Sequence, residues 1–144
     1  MGVDFFQLLL LIIIANGAPI LIRDLFLDCC HVAVDFGRKL PDGQPLFGAS
    51  KTWRGIVAAL LITTVVSVVL GYPAKTGLMI AAFAVLGDLS SSFIKRRLAM
   101  KPSSMAPLLD QVPESLFPAL MVREVFHLDI SSVMLLVLIR SEER

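Results

Sequence analysis

Histidine, cysteine and net charge are all scarce in this chain of 144 residues, which has two His, two Cys and a formal charge of +1. The cysteines are neighbours, Cys29 and Cys30, poorly placed for a mutual disulfide, and no second cluster exists to complete a zinc site with His31. They read as ordinary thiols. A formal charge of +1 gives no argument for nucleic-acid binding, so no nucleic acid partner is expected, and what matters is where the charges fall. There is no GxxxxGK[ST] sequence, which excludes a P-loop nucleotide site. Residues 1–7 hold no Lys or Arg and include Asp4, so the basic flank of a secretory signal is missing, and the first apolar run is expected to be a retained span. No repeat and no soluble domain interrupt the chain; residues 1–144 read as a single membrane domain.

What is plentiful is apolar side chain: 56% of the residues are hydrophobic and mean hydropathy is +0.81. That predicts an all-α integral membrane protein embedded in a lipid bilayer. The apolar segments, 5–22, 56–70, 77–94, about 108–122 and 125–139, predict a compact bundle of about five transmembrane helices. The fifth is short, since its uninterrupted run, 133–139, cannot cross a bilayer unaided. An incomplete last span raises the expectation of a partner subunit, including a homo-oligomer. Pro113 suits the first turn of the fourth helix, whereas Pro118 implies a kink. In the first span, Asn16, Gly17 and Pro19 predict either a kink with Asn16 bonding a freed backbone group or a broken helix lining a polar cavity.

Charge placement sets the orientation. Arg23, Arg38, Lys39, Lys51 and Arg54 fall in the first connection, Lys95, Arg96, Arg97 and Lys101 in the third, and Arg140 and Arg144 in the tail. The second connection has Lys75 alone. The first and third connections are therefore expected in the cytoplasm, in a multi-pass protein of the cell membrane. That face then collects the polar motifs. In 87–97 a helix would put Asp88, Ser92 and Lys95 at i, i+4 and i+7, within about 40° of one another and over roughly 10 Å of rise. A carboxylate so near the apolar phase is costly and suggests a functional site. In 47–55, glycines flank Lys51, Thr52 and Arg54, which suits phosphate oxygens, although a positive-inside anchor with Trp53 at the headgroups explains the same residues. With Asp110 and Glu114 added, carboxylates from two helices surrounded by cations suit Mg²⁺ and a polyphosphate. A structural ion-pair network closing the bundle is the alternative.

The stretch 47–55, the Gly87-Asp88 to Arg96 segment and Leu109-Asp110-Gln111 occur in the order found in the CDP-archaeol synthase family, which they resemble, and residues 16–19 are similar to that family's first-span signature. The family belongs with the membrane CTP-dependent cytidylyltransferases related to CDP-diacylglycerol synthase. The resemblance implies a cytidylyltransferase-like domain in phospholipid biosynthesis that transfers CMP from CTP to a membrane lipid phosphate, with Mg²⁺, and releases pyrophosphate. It implies Asp88, Lys95 and Asp110 as catalytic residues, Asp88 and Asp110 as metal ligands, and Lys51, Thr52, Arg54, Ser92 and Arg96 as nucleotide contacts. Two departures stand out. Pro113 occupies the second acidic position of the family's Asp-Gln-x-Asp motif, and Glu114, at i+4 from Asp110, is the expected substitute metal ligand. The C-terminal segment is also expected to be abbreviated. A non-catalytic membrane protein that keeps a polyphosphate-binding site is the competing expectation.

Overall fold

A computed structural model describes residues 2–26, 31–101 and 107–142. The Cys29-Cys30 pair and residues 102–104 of the third connection lie outside the described residues. The helices are α1 (Val3–Leu25), α2 (Trp53–Val69), α3 (Ala74–Arg97), α4 (Pro107–Val122) and α5 (Ile130–Glu142). Among the described residues there is no β-sheet; two single antiparallel pairings, Ala33 with Thr52 and Lys39 with Pro45, shape the first connection.

Large apolar side chains face outward along the helices as well as inward, and several polar ones are buried. Val57, Leu61, Val65 and Val68 form an exposed stripe along α2, and Leu78 and Leu86 on α3 and Met134 and Leu138 on α5 are exposed too. Thr63, Ser67, Ser91, Ser92, Lys95, Arg96, Glu114 and Ser115 are buried between helices. Apolar tails as solvent favour this arrangement, because polar groups then find partners only inside the protein. α1 and α3 are long and apolar enough to cross a membrane. α2, α4 and α5 are shorter, at 17, 16 and 13 residues.

Small residues bring the helices together. A Cβ on Gly77 would lie 2.5 Å from Ser67 Cβ and 2.8 Å from Thr64 Cα, so α2 and α3 touch nearly backbone to backbone. Gly87 does the same for α3 and α4: its Cβ would lie 2.3 Å from the Pro113 carbonyl oxygen and 2.7 Å from the Glu114 nitrogen. At the other end of the bundle Phe5, Leu8, Leu11, Ile12, Ile80, Val122, Phe126, Val133 and Leu136 make a dry core. There the Tyr72 hydroxyl lies 2.5 Å from Gln7 Oε1 and 3.0 Å from Asp4 Oδ1, fastening the start of α1 to the α2–α3 turn. Burial and then Asp4 push the Tyr72 pKa up to about 12, so it stays a donor.

Four expectations change. Helix α1 runs unbroken through Asn16 and Pro19. The Asn16 Nδ2 atom is buried without a hydrogen-bond partner, so it does not repair the backbone there. α4 starts at Pro107, which puts Pro113 inside the helix rather than in its first turn. Lys95, Arg96 and Arg97 belong to the last turn of α3, not to a loop. A turn covers 123–127, so the last helix begins at Ile130, later than the expected 125, and its 13 residues rise about 20 Å.

Candidate active site

Asp88, Ser92 and Lys95 share a face of α3 at helical spacing, and Gly87, one residue before Asp88, lets α4 approach closely enough to bring its own carboxylates opposite. The result is a cavity of about 300 Å³ at one end of the bundle. Its walls are the C-terminal half of α1, the start of α2, the end of α3 and the beginning of α4. Asp88, Ser92, Lys95 and Arg96 border it from α3, Asp110 and Glu114 from α4, and Lys51 and Thr52 from the first connection. Of the residues singled out in the sequence, Arg54 alone does not border the cavity. Its guanidinium donates to the Phe26 carbonyl instead, tying the end of α1 to the start of α2.

Two ion pairs cross the site. Lys51 Nζ lies 2.5 Å from both Asp88 carboxylate oxygens, and Lys95 Nζ lies 2.7 Å from Asp110 Oδ1. The exposures differ usefully: Lys51 and Asp88 are 25% and 31% exposed, Lys95 and Asp110 only 10% and 13%. The inner pair is thus costlier to break, since a buried charge without its partner is destabilising by about 3–5 kcal/mol. The outer pair is the easier one for a solvent-borne ligand to open. Glu114 is buried beside them.

The loop that delivers Lys51 is itself held by an acid. Asp35 is buried, and its carboxylate accepts from the backbone N–H groups of Gly37 (3.0 Å), Phe47 (3.1 Å) and Gly48 (3.0 Å). Burial acts to raise its pKa, but the amides of Gly48, Phe47 and Gly37 outweigh this and hold it below the usual carboxylate range. Gly37 (φ 73°) and Gly48 (φ 95°) supply the left-handed backbone that wraps around the carboxylate. The Val34 N–H then donates to the Lys51 carbonyl, and Thr52 caps α2 by accepting from the Gly55 N–H at 3.2 Å. Arg97 clamps the far side of the loop, pairing with Asp42, donating to the Pro45 carbonyl at 2.8 Å and lying 5.2 Å from the centre of the Phe93 ring.

Sequence reasoning missed two kinds of residue here. Asp35 belongs to no motif, although its position among Gly37, Phe47 and Gly48 offers a signal. Arg23 and His31 border the cavity, and neither has a distinctive spacing to a motif. Asn16 borders it as well, which joins the two expectations for α1: the helix is continuous and still lines a polar cavity. An unmet buried amide donor costs about 1–3 kcal/mol, which makes the position notable.

Several comparisons bear on this arrangement. The family model for CarS-like CDP-archaeol synthases matches residues 8–75 and 70–142. The CDP-archaeol synthase of Hyperthermus butylicus is 34% identical over 105 residues, covering 68% of this chain and 59% of that protein. The Pyrococcus furiosus enzyme is 36% identical over 107 residues, with coverage of 67% and 60%. That of Pyrobaculum arsenaticum is 37% identical over 127 residues, with coverage of 85% and 75%. The chain thus spans about three fifths of the length of the first two relatives. A solved structure of an intramembrane enzyme for archaeal membrane lipid biosynthesis superposes with a TM-score of 0.73 at 28% identity, over 93% of this chain and 85% of that one. Together with the apolar outer faces of the helices, this likeness makes the chain a membrane protein.

Proposed function

Because the chain belongs to the CDP-archaeol synthase family, we propose that it transfers CMP from CTP to a membrane lipid phosphate at the cavity between α1, α2, α3 and α4. The observation that carries this reading is the gathering of three carboxylates, Asp88, Asp110 and Glu114, with Lys51, Lys95 and Arg96 around one cavity at the basic end of the bundle. In the reaction a phosphate oxygen of the lipid attacks the α-phosphorus of CTP. A new P–O bond forms, the bond to the β-phosphate oxygen breaks, and pyrophosphate leaves. The basic end faces the cytoplasm of a multi-pass protein, where CTP is available, while the lipid tails remain in the bilayer.

The donor set fits a magnesium ion. Mg²⁺ takes one or two carboxylates and completes its shell with water and phosphate oxygens, and hard oxygen donors are what Asp88, Asp110 and Glu114 offer. Among the described residues no three or more His, Cys, Asp or Glu side chains form a ready-made metal cluster. Asp88 and Asp110 would hold the ion, with Glu114 as the third carboxylate. The metal would supply charge neutralisation on the triphosphate.

The lysines do the rest. Without a ligand, Lys51 and Lys95 neutralise Asp88 and Asp110. Lys51, the more exposed, leaves its partner for the triphosphate, and Lys95 with Arg96 stabilises the charge developing on the leaving pyrophosphate. Thr52 and Ser92 offer hydroxyls to phosphate oxygens, and Arg54 supports the same loop from outside the cavity. The test is incubation of the purified full chain in detergent with labelled CTP, Mg²⁺ and a panel of ester- and ether-linked lipid phosphates. A labelled CDP-lipid is expected. CTP binding without product across the whole panel overturns the catalytic reading and favours a polyphosphate-binding protein.

A further inference from the structure

We infer that one face of α1, formed by Asn16, Ile20 and Arg23, is the subsite for the phosphate monoester of the lipid acceptor; this rests on the cytidylyl-transfer reading above. The three residues stand at i, i+4 and i+7, so they share one face of the helix, and all three border the cavity. None of them is among the groups assigned to the nucleotide, which come from the first connection and the end of α3.

Each position carries its own argument. The Asn16 Nδ2 atom is buried at the cavity with no hydrogen-bond partner, a donor lacking an acceptor. A phosphate oxygen is a suitable one, and a neutral amide can donate to it without neutralising the nucleophile. Arg23 lies two helical turns towards the basic end, and helical side chains lean back towards the N-terminus, over Ile20 and into the cavity. Its contact with Asp24 is exposed on both sides, 58% and 60%, and so holds the guanidinium weakly. Between the two, Ile20 is 41% exposed, and Leu21 and Leu25 continue an apolar surface on the outside of the same helix. The α1 wall therefore runs from a polar cavity onto a lipid-facing surface. That sequence of amide, aliphatic contact and cation matches a phosphate carried on an apolar tail better than a soluble nucleotide.

The experiment measures two binding isotherms on the full chain in detergent, using the fluorescence of the single tryptophan, Trp53, whose neighbour Thr52 borders the cavity. One probe is an ether-linked isoprenoid glycerol phosphate and the other is CTP with Mg²⁺; glycerol phosphate without tails is the competitor. In Asn16→Ala and Arg23→Gln the lipid phosphate is expected to bind at least about tenfold more weakly, with CTP affinity unchanged. Glycerol phosphate should compete poorly, because it lacks the contact with Ile20. Unchanged lipid affinity in both variants overturns the subsite, as does an equal loss for CTP. Equal competition by glycerol phosphate makes it a soluble-phosphate site and overturns the lipid assignment. Wild-type binding of both probes without turnover instead removes the cytidylyl-transfer reading, so the two failures are distinguishable.

Discussion

Replacing Gly87 by alanine should separate the two halves of the site. The added Cβ would sit 2.3 Å from the Pro113 carbonyl oxygen, 2.5 Å from its carbon and 2.7 Å from the Glu114 nitrogen. An ordinary C···O contact is about 3.3 Å or more, so α3 and α4 must part by about 1 Å. All three neighbours are backbone and cannot rotate away. The strain of forcing a methyl into a closed interface is about 1–3 kcal/mol. The displacement acts within one residue of Asp88 and on the helix that carries Asp110 and Glu114, so the 2.7 Å contact between Lys95 and Asp110 is stretched. A shift of this size in reacting groups costs about 100-fold in rate. Thermal unfolding in detergent and turnover of CTP are the two readouts; both should fall. Gly17→Ala is the control, since nothing lies within 4 Å of its Cβ and alanine favours a helix by about 1 kcal/mol. A Gly87→Ala protein with the wild-type midpoint and wild-type turnover would refute the close α3–α4 contact as the device that sets the site.

The Lys51 and Asp88 variants should part company. Lys51→Ala raises the KM for CTP by about ten- to a hundredfold through loss of a charge-assisted contact, whereas Asp88→Asn abolishes turnover; steady-state kinetics showing the same modest KM effect for both would contradict their separate roles. Asp35 should make the Lys51 loop acid-sensitive. Its folded pKa is depressed, so its contribution is fully present above the unfolded pKa and is lost as pH falls through the folded value, which places the change below about pH 4. Trp53 sits beside this loop, 6.4 Å from the Phe36 ring, and its fluorescence should report the release. Asp35→Asn should show the released signal at neutral pH, and a pH-independent wild type argues against the anchor.

The helices and the members of the site were legible in the sequence for different reasons. Length and hydropathy of 5–22 and 77–94 located α1 and α3 because an apolar medium leaves the backbone few partners outside a helix, even across Asn16, Gly17 and Pro19. The spacing of Asp88, Ser92 and Lys95 located one wall of the cavity because helical periodicity fixes a face without tertiary information. What it hid was everything decided by contact between segments. Arg96 and Arg97 looked like the start of a loop because three cations in a row suggest water, yet helix α3 runs through them and brings Arg97 to the 40–45 turn. Asp35 looked like surface charge because its partners are backbone amides, 12 and 13 residues away in two cases, which side-chain identity does not announce. Arg54 looked equivalent to Lys51, three residues before it. The Thr52 cap begins α2 between them, so the two cations leave in different directions, one to Asp88 and the other to the Phe26 carbonyl.

Pro113 reads differently once α4 is in place. In the sequence it marks a missing acid. In the structure its carbonyl is the surface against which Gly87 closes, and Glu114, one residue on, borders the cavity while Pro113 does not. Counted from Asp110, position 114 completes a helical turn and returns to the same face, whereas the backbone of position 113 is turned to α3. Glu114 is thus the carboxylate that α4 brings to the cavity together with Asp110. Pro113→Asp should therefore change turnover by no more than about twofold, while Glu114→Gln should lower kcat by about a hundredfold. The decisive variant is the double one. If Pro113→Asp restores the activity of Glu114→Gln, the carboxylate is required but its position is not, and the assignment of Glu114 to the cavity face is wrong. If the double variant stays as inactive as Glu114→Gln, the site needs its third carboxylate where α4 now places it.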